Sequence, residues 1–135
     1  MKALSLLQPW ATLVIIGAKK IETRSWATDY RGRLLIHASK GKAGSIFKNQ
    51  QPFTKYISKF EALPFGVIIG EVTLEKILRV EDFSLSDKEM NLLTLEEKAF
   101  GDYAERRYGW VLANPIEYEN TIPALGQLRL WDFHL

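Results

Sequence analysis

Four residues at fixed spacing, Gly17, Lys19, Glu22 and Arg24, make the most chemically loaded segment of the chain. They lie in the run Gly17-Ala18-Lys19-Lys20-Ile21-Glu22-Thr23-Arg24, a G-x-K-x-x-E-x-R pattern with Trp10 before it and Trp26 after it. Lys19 supplies a point charge, and Arg24 a planar fork that can hold a phosphate or a base edge bidentately. Glu22, between two cations, stays ionised and can accept hydrogen bonds from an exocyclic amine or serve as a base. The two indoles offer stacking faces, worth roughly 1–3 kcal/mol per base. A structural account of the same residues is that Glu22 pairs with Arg24 or Lys19 to fix the turn, while both tryptophans are core.

Further candidates follow along the chain. Arg31 and Arg33 flank Gly32 on a turn near the motif, placed to grip backbone phosphates or to solvate a loop. His37 ends an apolar strand, as a hydrogen-bonded core residue or as part of a site, and Lys40 extends a basic rim. Between Lys40 and Lys59 lysines alternate with aromatics, which suits a phosphate-tracking surface or an amphipathic helical segment with its rings turned inward. Residues 1–60 hold 11 Lys/Arg against 2 Asp/Glu, a formal +9, and residues 61–135 hold 7 against 14, a formal −7. The overall +2 thus hides a polarised molecule whose basic half points to an anionic partner and whose acidic half is expected on the opposite face. Glu71 sits within Gly66-Val67-Ile68-Ile69-Gly70-Glu71-Val72-Thr73-Leu74; a carboxylate in so apolar a strand is either paired or functional.

The elements that must position these groups are short. At 135 residues, with 47% apolar and 25% charged residues, the chain reads as one domain, residues 1–135, large enough for a core. The absence of cysteine excludes disulfides, thiolate metal sites and a Cys nucleophile, and two histidines argue against a metal centre, so neither metal nor cofactor is expected. Gln8 and Pro9 interrupt the apolar N-terminal stretch, which is too short for a membrane span and shows no cleavage pattern, so no membrane association and a cytoplasmic location are expected. Ala3–Leu7 reads as a strand, and Pro9 as the first position of a helix that Gly17 stops. Lys20–Trp26 reads as a short strand lining a groove, and Leu34–Ala38 as a central strand. Pro52 splits the basic segment into two pieces. Phe65–Leu74 is a strong strand that residues 75–83 extend past a bend. Capping boxes at Ser86–Glu89 and Thr94–Glu97 open two short acidic helices near 87–92 and 95–104. Strands at Tyr108–Leu112 and Leu128–Phe133 follow, joined through an Asn114-Pro115 turn. Five or six strands among short helices, without regular β-α-β alternation, predict an α+β fold that curls into a small barrel.

The motif, behind a strand and a Gln8-Pro9-Trp10 helix start, resembles the ASCH domain, a branch of the PUA-like superfamily, in the version found in activating signal cointegrator 1 proteins. Arg31-Gly32-Arg33 leading into Leu34–Ser39, the Gly66–Leu74 strand, and Tyr108–Pro115 with Leu125–Trp131 resemble the same framework, so the likeness covers essentially the whole chain. It implies a PUA-like β-barrel with helices closing its ends and a basic ligand cleft at the motif. It also implies binding of RNA or a nucleotide-like ligand, with Trp10, Lys19, Glu22, Arg24, Trp26, Arg31, Arg33, His37 and Lys40 as the contact set. Short relatives that hydrolyse N4-acetylcytidine use a lysine, a threonine and a glutamate, and others cleave RNA. On that alternative Lys19 matches the lysine and the threonine falls at Glu22 with Thr23 one position on; the glutamate lies in a later helix, where Glu89, Glu96 and Glu97 are not matched residue by residue, and Glu71 is a different carboxylate candidate. A coregulator-like protein-interaction module is the third reading, and the oligomeric state is left open.

Overall fold

The computed structural model describes all 135 residues. Six strands, β1 (Lys2–Leu6), β2 (Ile21–Arg24), β3 (Gly32–Ala38), β4 (Val67–Arg79), β5 (Tyr108–Pro123) and β6 (Leu130–Asp132), form one sheet in the order β2-β5-β4-β3-β1-β6. All neighbours are antiparallel except β1 and β3. The sheet curls into a half-barrel with short helices at its margins: α1 (Trp10–Ile15), α2 (Phe53–Tyr56), α3 (Asp87–Leu92) and α4 (Leu95–Phe100). The α+β fold with a small curled sheet expected from the sequence is the observed one, with six strands.

Burial explains the strand patterns. On β3, Leu34, Ile36 and Ala38 join the main core with Leu4, Leu6, Val14 and Trp110, while Leu35 faces the other way onto Ala3, Ile68 and Trp131. A strand with both faces covered reads as an unbroken apolar run, which is what residues 34–38 show. α1 opens after Pro9, where the missing N–H has no intrahelical partner. The buried Gln8 side chain braces that opening: its Oε1 accepts from the Thr12 amide at 3.0 Å and its Nε2 donates to the Pro64 carbonyl at 2.9 Å. Gly17, at φ +82°, ends α1 in the left-handed region, and the Lys19 amide then donates to Leu13 O at 3.0 Å, delivering the chain into β2.

Three sequence expectations are corrected. Asn114-Pro115 is not a turn between strands; β5 runs straight through it. Between the pairs Thr73–Ala113 and Glu71–Ile116 one extra residue is accommodated on β5, with Asn114 at φ +51°, so the proline lies in a bulge where no ladder donor is needed. α4 stops at Phe100 rather than 104: Gly101 is extended, and the Asp102 amide leaves the helix to donate to Thr23 Oγ1 at 2.9 Å. Nor is the acidic half wholly opposite the basic one. α4 docks on the basic segment, with Lys55 on Glu96 at 2.6 Å and Phe53 edge-on to Phe100 at 5.2 Å. The aromatics of that segment do turn inward, Phe53 and Phe60 being buried. No helix is long and apolar enough to cross a membrane.

α3 is fastened to the long arm of β4 by Lys76, whose ammonium donates to Glu89. That hydrogen bond, with one from Ser86, holds the Glu89 carboxyl down at about 2. A depressed carboxylate stabilises the fold above its unfolded value near 4.5 and loses that contribution as pH falls toward about 2. Glu89→Gln is therefore expected to lower the urea midpoint at pH 7, with the gap to the native protein closing between pH 4 and pH 2. A gap that persists at low pH would show that the pair contributes by packing alone.

Candidate functional site

β2 is an edge strand, and its alternation sets the roles of its residues. Glu22 and Arg24 share one face, with Arg24 Nε 3.0 Å from Glu22 Oε2. Arg24 Nη2 donates to the Ser5 carbonyl of β1 at 2.9 Å, so its side chain crosses the open side of the half-barrel between β2 and β1. Thr23 borders the same space, but its hydroxyl accepts the Asp102 amide at 2.9 Å, as the period of 2 requires of the residue between Glu22 and Arg24. Arg107 Nη2 donates to the Thr23 carbonyl at 3.1 Å and ties the strand to β5.

Beneath this floor lies a buried charge cluster. Lys19 is 1% exposed; its ammonium donates to the Ile21 carbonyl and stands 3.7 Å from Glu22 and 3.9 Å from Glu97. Glu97, on α4, accepts the Lys20 amide at 2.7 Å and the Ile21 amide at 3.4 Å, satisfying backbone donors that lead into an unpaired edge. Burial pushes the Glu97 carboxyl above the usual carboxylate range, against the pull of Lys19. The Tyr103 hydroxyl, buried and unpartnered, is pushed well above the phenol range by the same burial and by Glu97 and Glu22. Lys19 thus organises the strand from below and does not reach the cleft.

Above the floor opens a cleft of about 610 Å³, with Trp10, Trp26, Glu22, Arg24 and Arg107 on its walls. Trp10 is braced edge-on by Phe47 at 5.4 Å, and Trp26 by Trp110 at 4.8 Å. Ser5, Arg24 and Ser39 also border a second cavity of about 460 Å³, which adds Lys40, Gln127 and Arg129. The two cavities adjoin across the bridge from Arg24 to the Ser5 carbonyl, on the open side of the half-barrel. Rings, guanidinium groups and one paired carboxylate are the chemistry of a site for a planar polar ligand bearing negative charge.

The ASCH domain model matches residues 4–122, nearly the whole chain. The chain belongs to the ASCH domain family. Activating signal cointegrator 1 of Homo sapiens and of Mus musculus are both 27% identical to it, over 137 and 146 residues. Each match covers 95% of this chain but 21% of the relative, so the chain spans about a fifth of the length of the curated relatives it matches. The fold is that of the crystal structure of ASCH from Zymomonas mobilis, with TM-score 0.60 and 15% identity over 98% of this chain and 87% of that one. A serine-to-alanine variant of that protein gives TM-score 0.58 at 16% identity, with the same coverage.

Within this ASCH domain the candidates separate into groups. Trp10, Glu22, Thr23, Arg24 and Trp26 meet at the larger cavity, and His37 and Lys40 border the smaller one. His37 is 2% exposed; its Nδ1 accepts from Ser5 Oγ at 2.9 Å, since Nε2–H donates to the Ala124 carbonyl at 2.8 Å, making it a strut in the wall. Arg31 donates to the Thr28 and Tyr30 carbonyls of its own loop, away from both cavities. Arg33 lies on the sheet's other flank, 2.6 Å from Glu71, which also accepts from the Tyr118 hydroxyl at 3.0 Å. Burial, and then that hydrogen bond, push the Tyr118 hydroxyl up to about 12. Glu71 is therefore paired, and it is not brought to Lys19 and Thr23. Sequence reasoning met Glu97 only among helix carboxylates it could not match, and missed Arg107 and Arg129. The glutamate of the Thr94–Glu97 capping box was the available signal for the first, but its side chain serves β2; for the two arginines the sequence carried none.

Proposed function

We propose that this ASCH domain binds single-stranded RNA or a nucleotide through the Glu22–Arg24 cleft. The observation that carries this reading is a pair of adjoining cavities presenting two braced indoles, a carboxylate–guanidinium pair, and further cations at Arg107, Lys40 and Arg129. A base stacks on Trp10 and meets the Glu22 carboxylate by its exocyclic amine, with Trp26, covered by the Arg129 guanidinium, as a wall, while phosphate oxygens meet the guanidinium groups. Lys19 acts as a positioning residue, holding Glu22 and the β2 backbone from beneath. Hydrolysis of an acylated nucleoside amide is the weaker reading. It needs a lysine, a hydroxyl and a carboxylate around one bond, whereas Lys19 is sealed, the Thr23 hydroxyl is held by Asp102, and Glu71 is held by Arg33 and Tyr118.

Fluorescence anisotropy with a labelled eight-nucleotide single strand tests the binding reading. Binding is expected to weaken with salt along a log–log slope of about −1.4 to −2.8, the slope for two to four phosphates neutralised on a single strand. A slope near zero, or no binding at 50 mM salt, would sink it and favour a protein partner.

A further inference from the structure

We propose that the cleft is a two-subsite channel for two linked nucleotides of one strand, with the phosphodiester seated between Arg24 and Arg129. The inference rests on the nucleotide-binding reading and gives it a register. The two cavities, of about 610 and 460 Å³, share Ser5, Arg24 and Ser39, so they adjoin, and the Arg24–Ser5 bridge stands between them as a waist. Each alone is the size of a small-ligand site, and a free nucleoside would leave one of them empty.

Their chemistries differ in the way two successive subsites would. The larger holds both indoles and the Glu22 carboxylate, which suit a base. The smaller holds Lys40 and Arg129, neither of which has a carboxylate within ion-pair distance. Arg24 already leans on Glu22, so the uncompensated charge lies at and beyond the waist. A diester carries one negative charge, and the second nucleotide of a strand brings the next.

The free cations are also held in place. The Arg129 guanidinium lies over the Trp26 ring, 4.9 Å from its centroid, joining a wall of the smaller cavity to a wall of the larger at the waist. The loop that carries Arg129 is anchored at its start, where Ala124 O accepts from His37 Nε2 at 2.8 Å. His37 in turn meets Ser5 Oγ, which accepts from Trp131 Nε1 at 3.2 Å. Gly126 packs so closely on this chain that a Cβ would stand 2.8 Å from Ser5 Oγ. The Lys40 stem lies across Gly66, whose φ of +72° and open α-carbon leave it room. Polar groups fixed in this way recognise a ligand without first being ordered by it.

Calorimetric titration with cytidine 3′-monophosphate, cytidine 5′-monophosphate, the dinucleoside CpC and its doubly end-phosphorylated form pCpCp tests the register: CpC adds a second nucleoside while turning a near-dianionic monoester into a monoanionic diester, so a gain does not come from charge, and pCpCp adds the next phosphate. The native protein is expected to bind CpC at least tenfold more tightly than the better monophosphate and pCpCp more tightly again, and Lys40→Ala to remove most of the gain from CpC to pCpCp. Monophosphate binding without a gain for CpC would overturn the two-subsite inference while leaving nucleotide binding standing. A gain from CpC to pCpCp that survives in full in Lys40→Ala would move the second subsite elsewhere and overturn it too. If neither the monophosphates nor CpC binds, both readings fall.

Discussion

Replacing Lys19 by methionine is expected to lower the free energy of unfolding by about 3–5 kcal/mol, the loss typical when one member of a buried ion pair is removed. Methionine fills nearly the same space, so the effect is not a cavity. The ammonium stands between Glu22 and Glu97 at 3.7 and 3.9 Å while donating to Ile21 O, and the substitution leaves two carboxylates facing each other across an apolar floor. Glu22 keeps Arg24 and Glu97 keeps two backbone amides, which sets the loss at the lower end of that range. Adding Glu97→Gln should recover part of the loss, since an amide oxygen still accepts from the Lys20 amide and one stranded charge is gone. The coupling read from urea midpoints of the two single variants and the double is then about 1 kcal/mol or more. A Lys19→Met protein within 1 kcal/mol of the native one, but unable to bind RNA, would reverse this assignment and make Lys19 a ligand contact.

That outcome differs from what the motif suggests on its own, and the reason is physical. Strand β1, the helix opened by Pro9 and stopped at Gly17, and the buried strand 34–38 follow from local rules: periodicity, proline placement and a glycine in the left-handed region. They were legible because each is decided within a few residues. The surroundings of Lys19 are decided by Glu97, far along the chain, and no spacing within Gly17–Arg24 announces that carboxylate. Glu71 shows the same limit. Its burial in an apolar strand signalled a partner or a role, but only the register that sets Arg33 against Thr73 reveals that Arg33 is the partner. Asn114-Pro115 read as a turn because both residues favour one, yet a bulge meets the same φ and N–H requirements within a strand. The cleft residues were legible by type, whereas Arg107 and Arg129 depend on how β5 and the segment before β6 return to β2.

Arg24 offers the sharpest separation of scaffold from site, because lysine can replace its charge but not its shape. The guanidinium reaches Glu22 through Nε at 3.0 Å and the Ser5 carbonyl through Nη2 at 2.9 Å, and its Nη1 edge remains for a phosphate. A lysine ammonium at the same height can take one of these directions, not all three. Arg24→Lys is therefore expected to weaken single-strand binding about tenfold, or 1.4 kcal/mol, while keeping the native salt slope, since the count of neutralised phosphates is unchanged. Arg24→Ala removes the charge as well and should reduce the magnitude of the slope by about 0.7, the single-strand increment for one phosphate. Both variants lose the bridge across the open side of the barrel. The side chain is 25% exposed, however, so the loss of stability should stay near 1 kcal/mol and be similar in the two. Affinity lost in parallel with stability, with the slope unchanged in Arg24→Ala, would make Arg24 a clasp between β2 and β1 and not a ligand contact. A slope change confined to Arg24→Ala cannot come from a clasp, because only a charge that displaces counterions from the nucleic acid enters that slope.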